Sequence, residues 1–430
     1  MPRAVSILPS RLPGSPAQGA DPLLMPPDGS RPQPRNPGFE LFEAMERCGP
    51  AGMENLPVTN RIAGSITERV YNFSPGPAVL PLEVLEQARD EMIALPGVGI
   101  SVLEISHRSP AFDRILAETL QDLRQLLGIG DDYEVLLMQG GASLQFSMVP
   151  MNLLRGQPAA ADYIVTGTWG QTGVQEARRE GKVHVAWDGK ATAYDRLPAA
   201  GEIQLSGAPA YVHITSNETI QGVQWKHDPD IGSAPLVSDS SSDFMSRPIA
   251  VAKHGLIYAC AQKNAGIAGV TVVIIRKDLL ERSRDDLPTM LDYRTYAKNG
   301  SRPNTPPVFA IYVLGLVCRW LRDTVGGLAV MERHNATKAK LLYDALDSSG
   351  GFYAGHARSE CRSAMNVTFR LPDESLEKLF LKGATERNLV DLKGHRSVGG
   401  IRASIYNAMP VAGVELLRDY MMEFRESQCS

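Results

Sequence analysis

The sequence predicts an α/β protein: a mostly parallel, seven-stranded sheet covered on both faces, followed by a smaller C-terminal α/β domain. Three observations predict it. Between residues 134 and 276 seven short β-rich runs recur, several almost wholly apolar, as strands buried on both faces are. Loops or helical segments separate the runs, as parallel pairing requires. After about residue 330 the spacing changes, with longer helical segments set around two further β-rich runs. A chain of 430 residues is long enough for two domains and a substantial core.

Residues 1–52 hold eleven of the thirty prolines, and five Arg offset five acidic residues with no sustained apolar period. This composition predicts a disordered extension, taken to run through residue 68. An organelle transit peptide fits the Arg, Ser and Pro content of residues 1–52 but not the five acids, and translation starting at Met53 is another reading. The larger domain is placed over 69–330, with residues 69–81 available to pack on the smaller one. Leu85, Ala88, Met92 and Leu95 then recur at helical spacing after Pro81. The β-rich runs follow at 134–139, 163–166, 184–187, 211–215, 236–238, 256–261 and 270–276. The smaller domain, 331–430, reads as a helix over 331–346, a strand over 366–371, a helix with Leu376, Leu379, Phe380 and Ala384 on one face, a strand over 401–406, and a last helix with Val414, Leu417, Met421 and Phe424 inward.

Composition excludes several classes. Forty-four basic against 48 acidic residues leave a net charge of −4, which gives no reason to expect nucleic-acid binding. Hydrophobic residues at 43% and charged residues at 21% describe a soluble globular chain. The longest uncharged apolar stretch, 308–318, is too short to cross a membrane. The five cysteines, Cys48, Cys260, Cys318, Cys361 and Cys429, form no CxxC pair and have no His at ligand spacing. No metal site is therefore expected, and a reducing, cytoplasmic location is the simplest reading.

Chemistry concentrates at the ends of the predicted strands. In LIYACAQKNAGIAGVTVVIIRK, Lys263 follows an apolar strand and precedes a Gly/Ala-rich turn. Desolvation there would lower its pKa and favour Schiff-base chemistry; a surface lysine on a turn is the alternative. PLVSDSSSDF puts Asp239 at the end of another strand, where a buried carboxylate can hold a pyridine nitrogen protonated, or simply cap a helix. VLLMQGGASLQF passes through Gly140 and Gly141 into a helix whose first turn holds Ala142 and Ser143, a phosphate cradle or an ordinary tight turn. Trp169 follows a strand and can stack on a flat ring or serve as a plain core aromatic, while Thr219 offers a hydroxyl in a post-strand loop. HRSP and KGHRSVGGIR supply two His-Arg pairs, His107 with Arg108 and His395 with Arg396, and a further Arg402. Arginine forks suit both phosphate and carboxylate, although each could be a surface charge.

In combination and in order, YNFSPGPAVLP, ISHRSPAF, GGASLQF, TSNETIQGV, SDSSSDFMSRP, AQKNAGIAG, NGSRPNTPPVFAIY and LKGHRSVGGIRASIYNAMP resemble the phosphoserine aminotransferases, class V members of the fold-type I pyridoxal phosphate (PLP) enzymes. The resemblance covers about residues 69–424. It implies PLP as cofactor, Lys263 as the Schiff-base lysine and Asp239 as the partner of the pyridinium nitrogen. It implies Trp169 stacked on the ring, Thr219 and Gln262 at the ring or its substituents, and Ala142 and Ser143 at the phosphate. Asn304 and Thr305 would reach that phosphate across a homodimer interface. Arg402 would grip the α-carboxylate, while His395, Arg396 and the partner subunit's His107 and Arg108 would grip phosphate or a side-chain carboxylate. Some members read GGGRGQF, so an arginine is absent at Ser143 and its share of anion binding must come from elsewhere.

The implied reaction moves the amino group of L-glutamate to 3-phosphohydroxypyruvate, giving phosphoserine and 2-oxoglutarate in serine biosynthesis. A parallel reaction on 4-phosphohydroxythreonine, in vitamin B6 synthesis, is a further option. Three rivals stand beside it: an alanine–glyoxylate aminotransferase, a cysteine desulfurase and a non-catalytic PLP-fold protein. An anion-poor substrate would leave the His-Arg pairs unexplained. None of the five cysteines lies in the Gly/Ser-rich loop that a desulfurase needs.

Overall fold

The computed structural model describes residues 69–429. The extension expected over 1–68, the reading of Met53 as a start and Cys48 lie outside the described residues. The elements that position the site begin with strand β1 (Tyr71–Asn72) and helices α1 (Leu82–Glu91) and α2 (Pro110–Leu127). Next come β2 (Tyr133–Met138), α3 (Gly141–Leu153), β3 (Ala161–Val165), α4 (Thr168–Ala177), β4 (Val183–Asp188), β5 (Val212–Thr215), β6 (Leu236–Asp239), β7 (His254–Cys260) and β8 (Thr271–Arg276). The chain continues through α5 (Val308–Arg319), α6 (Leu328–Asp347), β9 (Ala354–Gly355), β10 (Asn366–Arg370), α7 (Glu374–Glu386), β11 (Leu389–Val390), β12 (Ile401–Ser404) and α8 (Val411–Cys429).

Seven strands form one sheet in the order β2-β8-β7-β6-β5-β3-β4. All pairs are parallel except those of β8, which runs antiparallel to both β2 and β7. The exception has a simple cause: only residues 261–270 link β7 to β8, and a parallel return needs a crossover of roughly a dozen residues or more. Alternate residues of each strand feed opposite cores. Val135 and Leu137 pack with residues of α2 and α5, while Leu136 and Met138 pack with residues of α3 and α4. Because both faces are covered, most strand residues are apolar, and each large side chain buried this way contributes about 1.5–3 kcal/mol.

Local signals set the helix ends. Ser109 accepts a hydrogen bond from the N–H of Phe112 at 3.3 Å, Pro110 follows at the first turn, and Gly128, at φ 62°, ends α2. Two expected faces need correction. The α1 helix stops at Glu91 because Pro96 and Gly97 lie just ahead; its buried residues are Val84 and Ala88, Met92 is 38% exposed, and Leu95 is buried from the turn beyond. On α7 the inward row is Leu376, Phe380 and Ala384, at intervals of four, and Leu379 turns outward at 53% exposure.

The C-terminal part forms the antiparallel sheet β9-β10-β12, and its core gathers Phe369, Phe380, Tyr420 and Phe424. Phe369 and Phe380 meet edge to face at 6.0 Å. Phe73 belongs to this same core, because β1 pairs in parallel with β11. Among the described residues no helix is long and apolar enough to cross a membrane.

Candidate active site

The carboxyl ends of the parallel strands converge on a cavity of about 400 Å³. Register brings Thr215 of β5 and Tyr258 of β7 to either side of Asp239, the last residue of β6. Nine residues expected from the sequence line this cavity: Ala142, Ser143, Trp169, Thr219, Asp239, Gln262, Lys263, His395 and Arg402.

At one end, Gly140 and Gly141 turn the chain from β2 into α3 with φ of 95° and 67°. A side chain at Gly140 would lie 2.4 Å from Leu144 Cδ2, so only glycine suits both the conformation and the space. No side chain caps the helix and its first turn carries no acid, which leaves its N–H groups and positive dipole end for an anion. On the floor, Asp239 is 5% exposed and its Oδ1 accepts the Ser241 N–H at 3.0 Å. Burial pushes its pKa up, against the Ser241 hydrogen bonds and Lys263.

Lys263 follows β7, and its Nζ donates to Thr219 Oγ1 at 2.9 Å and stands 6.0 Å from the Trp169 ring centroid. The expected depression of its pKa is corrected here. Burial does work downward, but the acidic groups of Tyr406, Cys260 and Asp239 outweigh it and hold the ammonium above the ordinary lysine range. Gly76 packs over this side chain; a Cβ there would sit 3.4 Å from Lys263 Cγ. Trp169 stacks on Phe146 at 6.3 Å, and its indole Nε1 is buried without a partner.

Across the cavity, Arg402 projects from β12 and is 6% exposed, with Nε lacking a partner and no described carboxylate within ion-pair distance. Burial lowers its pKa. A desolvated, uncompensated guanidinium is costly in any folded protein, and an incoming anion is what would offset it. His395 lies beside it, with Nδ1 2.8 Å from Ser397 Oγ. Burial first, then Arg402 and Arg396, lower the His395 pKa. A second cavity, about 430 Å³, shares Ile220, His395 and Arg402 with the first.

Five expected residues are not part of this lining. Arg108, Asn304, Thr305 and Arg396 are exposed, and His107 is half-buried. Two of these segments are nonetheless neighbours: Arg302 donates to the His107 carbonyl at 3.3 Å and pairs with Asp113, just before Asn304. Gln139, next to the glycine turn, donates to the Thr305 carbonyl at 3.1 Å.

Sequence reasoning missed Glu218. It is fully buried and accepts the N–H groups of Trp169 at 3.1 Å and Gly170 at 2.9 Å, the start of α4. Burial pushes its pKa up to about 7, against those two hydrogen bonds. Gly167 is small for this reason, since a Cβ there would lie 2.4 Å from the Glu218 carboxyl carbon. The available signal was an acid standing alone among uncharged residues in TSNETIQG.

Comparison with known proteins agrees with this geometry. The Aminotransferase class-V family matches residues 70–417. The phosphoserine aminotransferase of Rhodopirellula baltica is 53% identical over 363 residues, 84% of this chain and 96% of that one. That of Acidithiobacillus ferrooxidans is 53% identical over 359 residues, 84% of this chain and 99% of that one. The solved phosphoserine aminotransferase of Bacillus circulans subsp. alkalophilus superposes with a TM-score of 0.82 at 50% identity, over 84% of this chain and all of that one. The PLP-bound enzyme of Trichomonas vaginalis does so with 0.78 at 42% identity, over 82% of this chain and all of that one. With one cavity at the strand ends and 42–53% identity to these relatives over nearly their whole length, the chain belongs to the class-V aminotransferase family, in the branch of the phosphoserine aminotransferases.

Proposed function

We propose that the protein is a PLP-dependent aminotransferase that moves the amino group of L-glutamate to 3-phosphohydroxypyruvate, reversibly giving O-phospho-L-serine and 2-oxoglutarate. The observation that carries this reading is Arg402: a nearly fully buried guanidinium without a carboxylate partner among the described residues, on the same cavity as Lys263 and Asp239. Every substrate named brings a carboxylate to such a site, and two of them also bring a phosphate.

The residues present fit the cofactor. The glycine turn and the open first turn of α3 suit its phosphate, the buried Asp239 suits a protonated ring nitrogen, and Trp169 offers a flat face. When bound, PLP supplies a carbonyl carbon for amine exchange and a ring that withdraws electrons from the substrate Cα. In this reading Lys263 Nζ anchors the cofactor, then takes the proton from Cα and returns it on the other side of the transfer. Thr219 orients Nζ through the 2.9 Å hydrogen bond. Arg402 fixes the α-carboxylate, and His395 with Arg396 meets the distal phosphate or carboxylate. A homodimer in which His107, Arg108, Asn304 and Thr305 of a second copy complete the site is part of this reading; the likeness of their motifs to the family supports it, and the exposure of Arg108, Asn304 and Thr305 is compatible with it. We further place residues 69–330 and 331–430 in a larger and a smaller domain, locate the enzyme in the cytoplasm, and include 4-phosphohydroxythreonine among its products.

The test is the visible spectrum of the purified, PLP-loaded protein before and after phosphoserine, with alanine as the control donor. Loss of the lysine-bound cofactor band with phosphoserine and not with alanine supports the reading. Conversion by alanine alone removes the substrate assignment, and a protein that takes up no PLP removes the enzyme reading.

A further inference from the structure

Lys338, on α6, is one of the largest fully buried side chains of the protein, at 1% exposure. Among the described residues no carboxylate lies within ion-pair distance of it. Its Nζ instead meets four main-chain carbonyls: Ile405 at 3.0 Å, Tyr406 at 2.7 Å, Asn407 at 3.3 Å and Met409 at 3.2 Å. An ammonium has three N–H donors. Four oxygens around it therefore form a coordination shell, of the kind that hard oxygen ligands build around a metal cation. Carbonyl dipoles converging on one point repel each other unless a positive charge sits between them. Burial pushes this ammonium down to about 7, yet the four contacts are all to dipoles that favour its charged form.

The gathered segment, residues 405–409, joins the two halves of the site. It follows directly on β12, which carries Arg402. Tyr406 donates its hydroxyl to the Pro75 carbonyl at 2.8 Å, and Pro75 and Gly76 line the cavity over Lys263. The Asn407 N–H donates to Asn264 Oδ1 at 3.0 Å, and Asn264 is the neighbour of Lys263. On the same helix as Lys338, Asn335 donates to Asn407 Oδ1 at 2.8 Å. The segment is thus held from one side by α6 and reaches both Lys263 and Arg402 from the other.

We infer that Lys338 is a positioning residue for amino transfer: its ammonium is a built-in monovalent cation that gathers the 405–409 carbonyls and so fixes Tyr406 and Arg402 against Lys263. Removing the side chain leaves a carbonyl cage that takes a small organic ammonium ion. The inference rests on the roles proposed above for Lys263 and Arg402.

Lys338→Ala and Lys338→Met, loaded with PLP, are compared with the wild-type holoenzyme in choline chloride and in ethylammonium chloride at equal ionic strength. For Lys338→Ala in choline, kcat/KM for glutamate and phosphoserine is expected to fall roughly tenfold or more. Ethylammonium, a primary amine, can also exchange with the PLP carbonyl in every form of the enzyme, so the readout is the variant relative to the wild type in the same salt: the kcat/KM ratio of Lys338→Ala to wild type is expected to rise saturably, and the Tm of this variant to rise relative to that of the wild type. Lys338→Met fills the space without charge, so it is expected to lose activity and gain nothing from ethylammonium. Wild-type kcat/KM in Lys338→Met overturns the inference, as does a Lys338→Ala protein whose activity and Tm both ignore ethylammonium. If Lys338→Ala does not fold in choline, recovery on refolding in ethylammonium supports the cage, and failure in both salts overturns it. A wild-type protein inactive on phosphoserine would end the functional reading, and the Tm response of Lys338→Ala would still decide the cation site.

Discussion

Stability and catalysis pull on Arg402 in opposite directions, which makes it a sharp test. A buried donor left without a partner costs about 1–3 kcal/mol, and Arg402 Nε is such a donor in a side chain 6% exposed. Replacing buried charge with well-packed apolar atoms is often stabilising by a similar amount. Arg402→Met is therefore expected to make the free protein about 1–3 kcal/mol more stable, a rise of a few degrees in Tm for a chain of this size. For catalysis the balance reverses. Truncating one partner of a buried, hydrogen-bonded charge pair costs about 2–5 kcal/mol. At about 1.4 kcal/mol per tenfold, kcat/KM should drop by about 30-fold to several thousand-fold. The assay is steady-state kcat/KM for glutamate and for phosphoserine, beside the melting curve of the same protein without either. Both substrates should suffer, because both present an α-carboxylate. A variant that melts lower while keeping its kcat/KM would refute the reasoning; a loss confined to one substrate would show that Arg402 does not hold the group they share.

Four further outcomes are expected. Lys263→Ala should abolish turnover, since it removes both anchor and base, and any retained steady-state activity would count against that role. Asp239→Asn should still bind PLP but slow Cα proton removal, read as the rate of spectral change with phosphoserine; an unchanged rate removes its electronic role. Arg396→Ala should cost phosphoserine more than glutamate, so equal losses in kcat/KM would sink the division of labour with Arg402. Glu218, raised to about 7 from an ordinary 4.5, binds more protons folded than unfolded between those values. Its contribution to stability is thus complete below about pH 4.5 and is lost as pH rises through about 7, an upper limit of about 3 kcal/mol. Glu218→Gln should flatten the fall of Tm over that window, and an unaltered slope would place the titration elsewhere.

The strands were legible because most are buried on both faces, so apolar runs such as 270–276 stand out without any alternation to decipher. Lys263 and Asp239 were legible because a charge at the end of an apolar run is conspicuous. Where spacing alone had to choose between adjacent residues, as with Leu379 beside Phe380, the face could be misplaced, since neighbours on a helix differ by only about 100°. Lys338 was illegible for a different reason. In RHNATKAKLL it resembles Lys340, yet Lys340 pairs with Asp344 on the surface while Lys338 meets carbonyls seventy residues away. Nothing local distinguishes them. The direction of the Lys263 pKa was likewise set by Tyr406 and Cys260, whose approach only the folded chain reveals.

The parallel pairing of Tyr71–Asn72 with Leu389–Val390 has a consequence for synthesis. Well before its partner β11, which lies far downstream in the chain, strand β1 leaves the ribosome. Pro75 and Gly76, a few residues after that strand, form the rim over Lys263 and are held by Tyr406, which emerges later still. A nascent chain can therefore build much of its central sheet while the rim hangs open. Competence for chemistry arrives only when the carboxyl-terminal segment folds back, so a ribosome stalled before residue 389 releases a chain with an unclosed, inactive cavity.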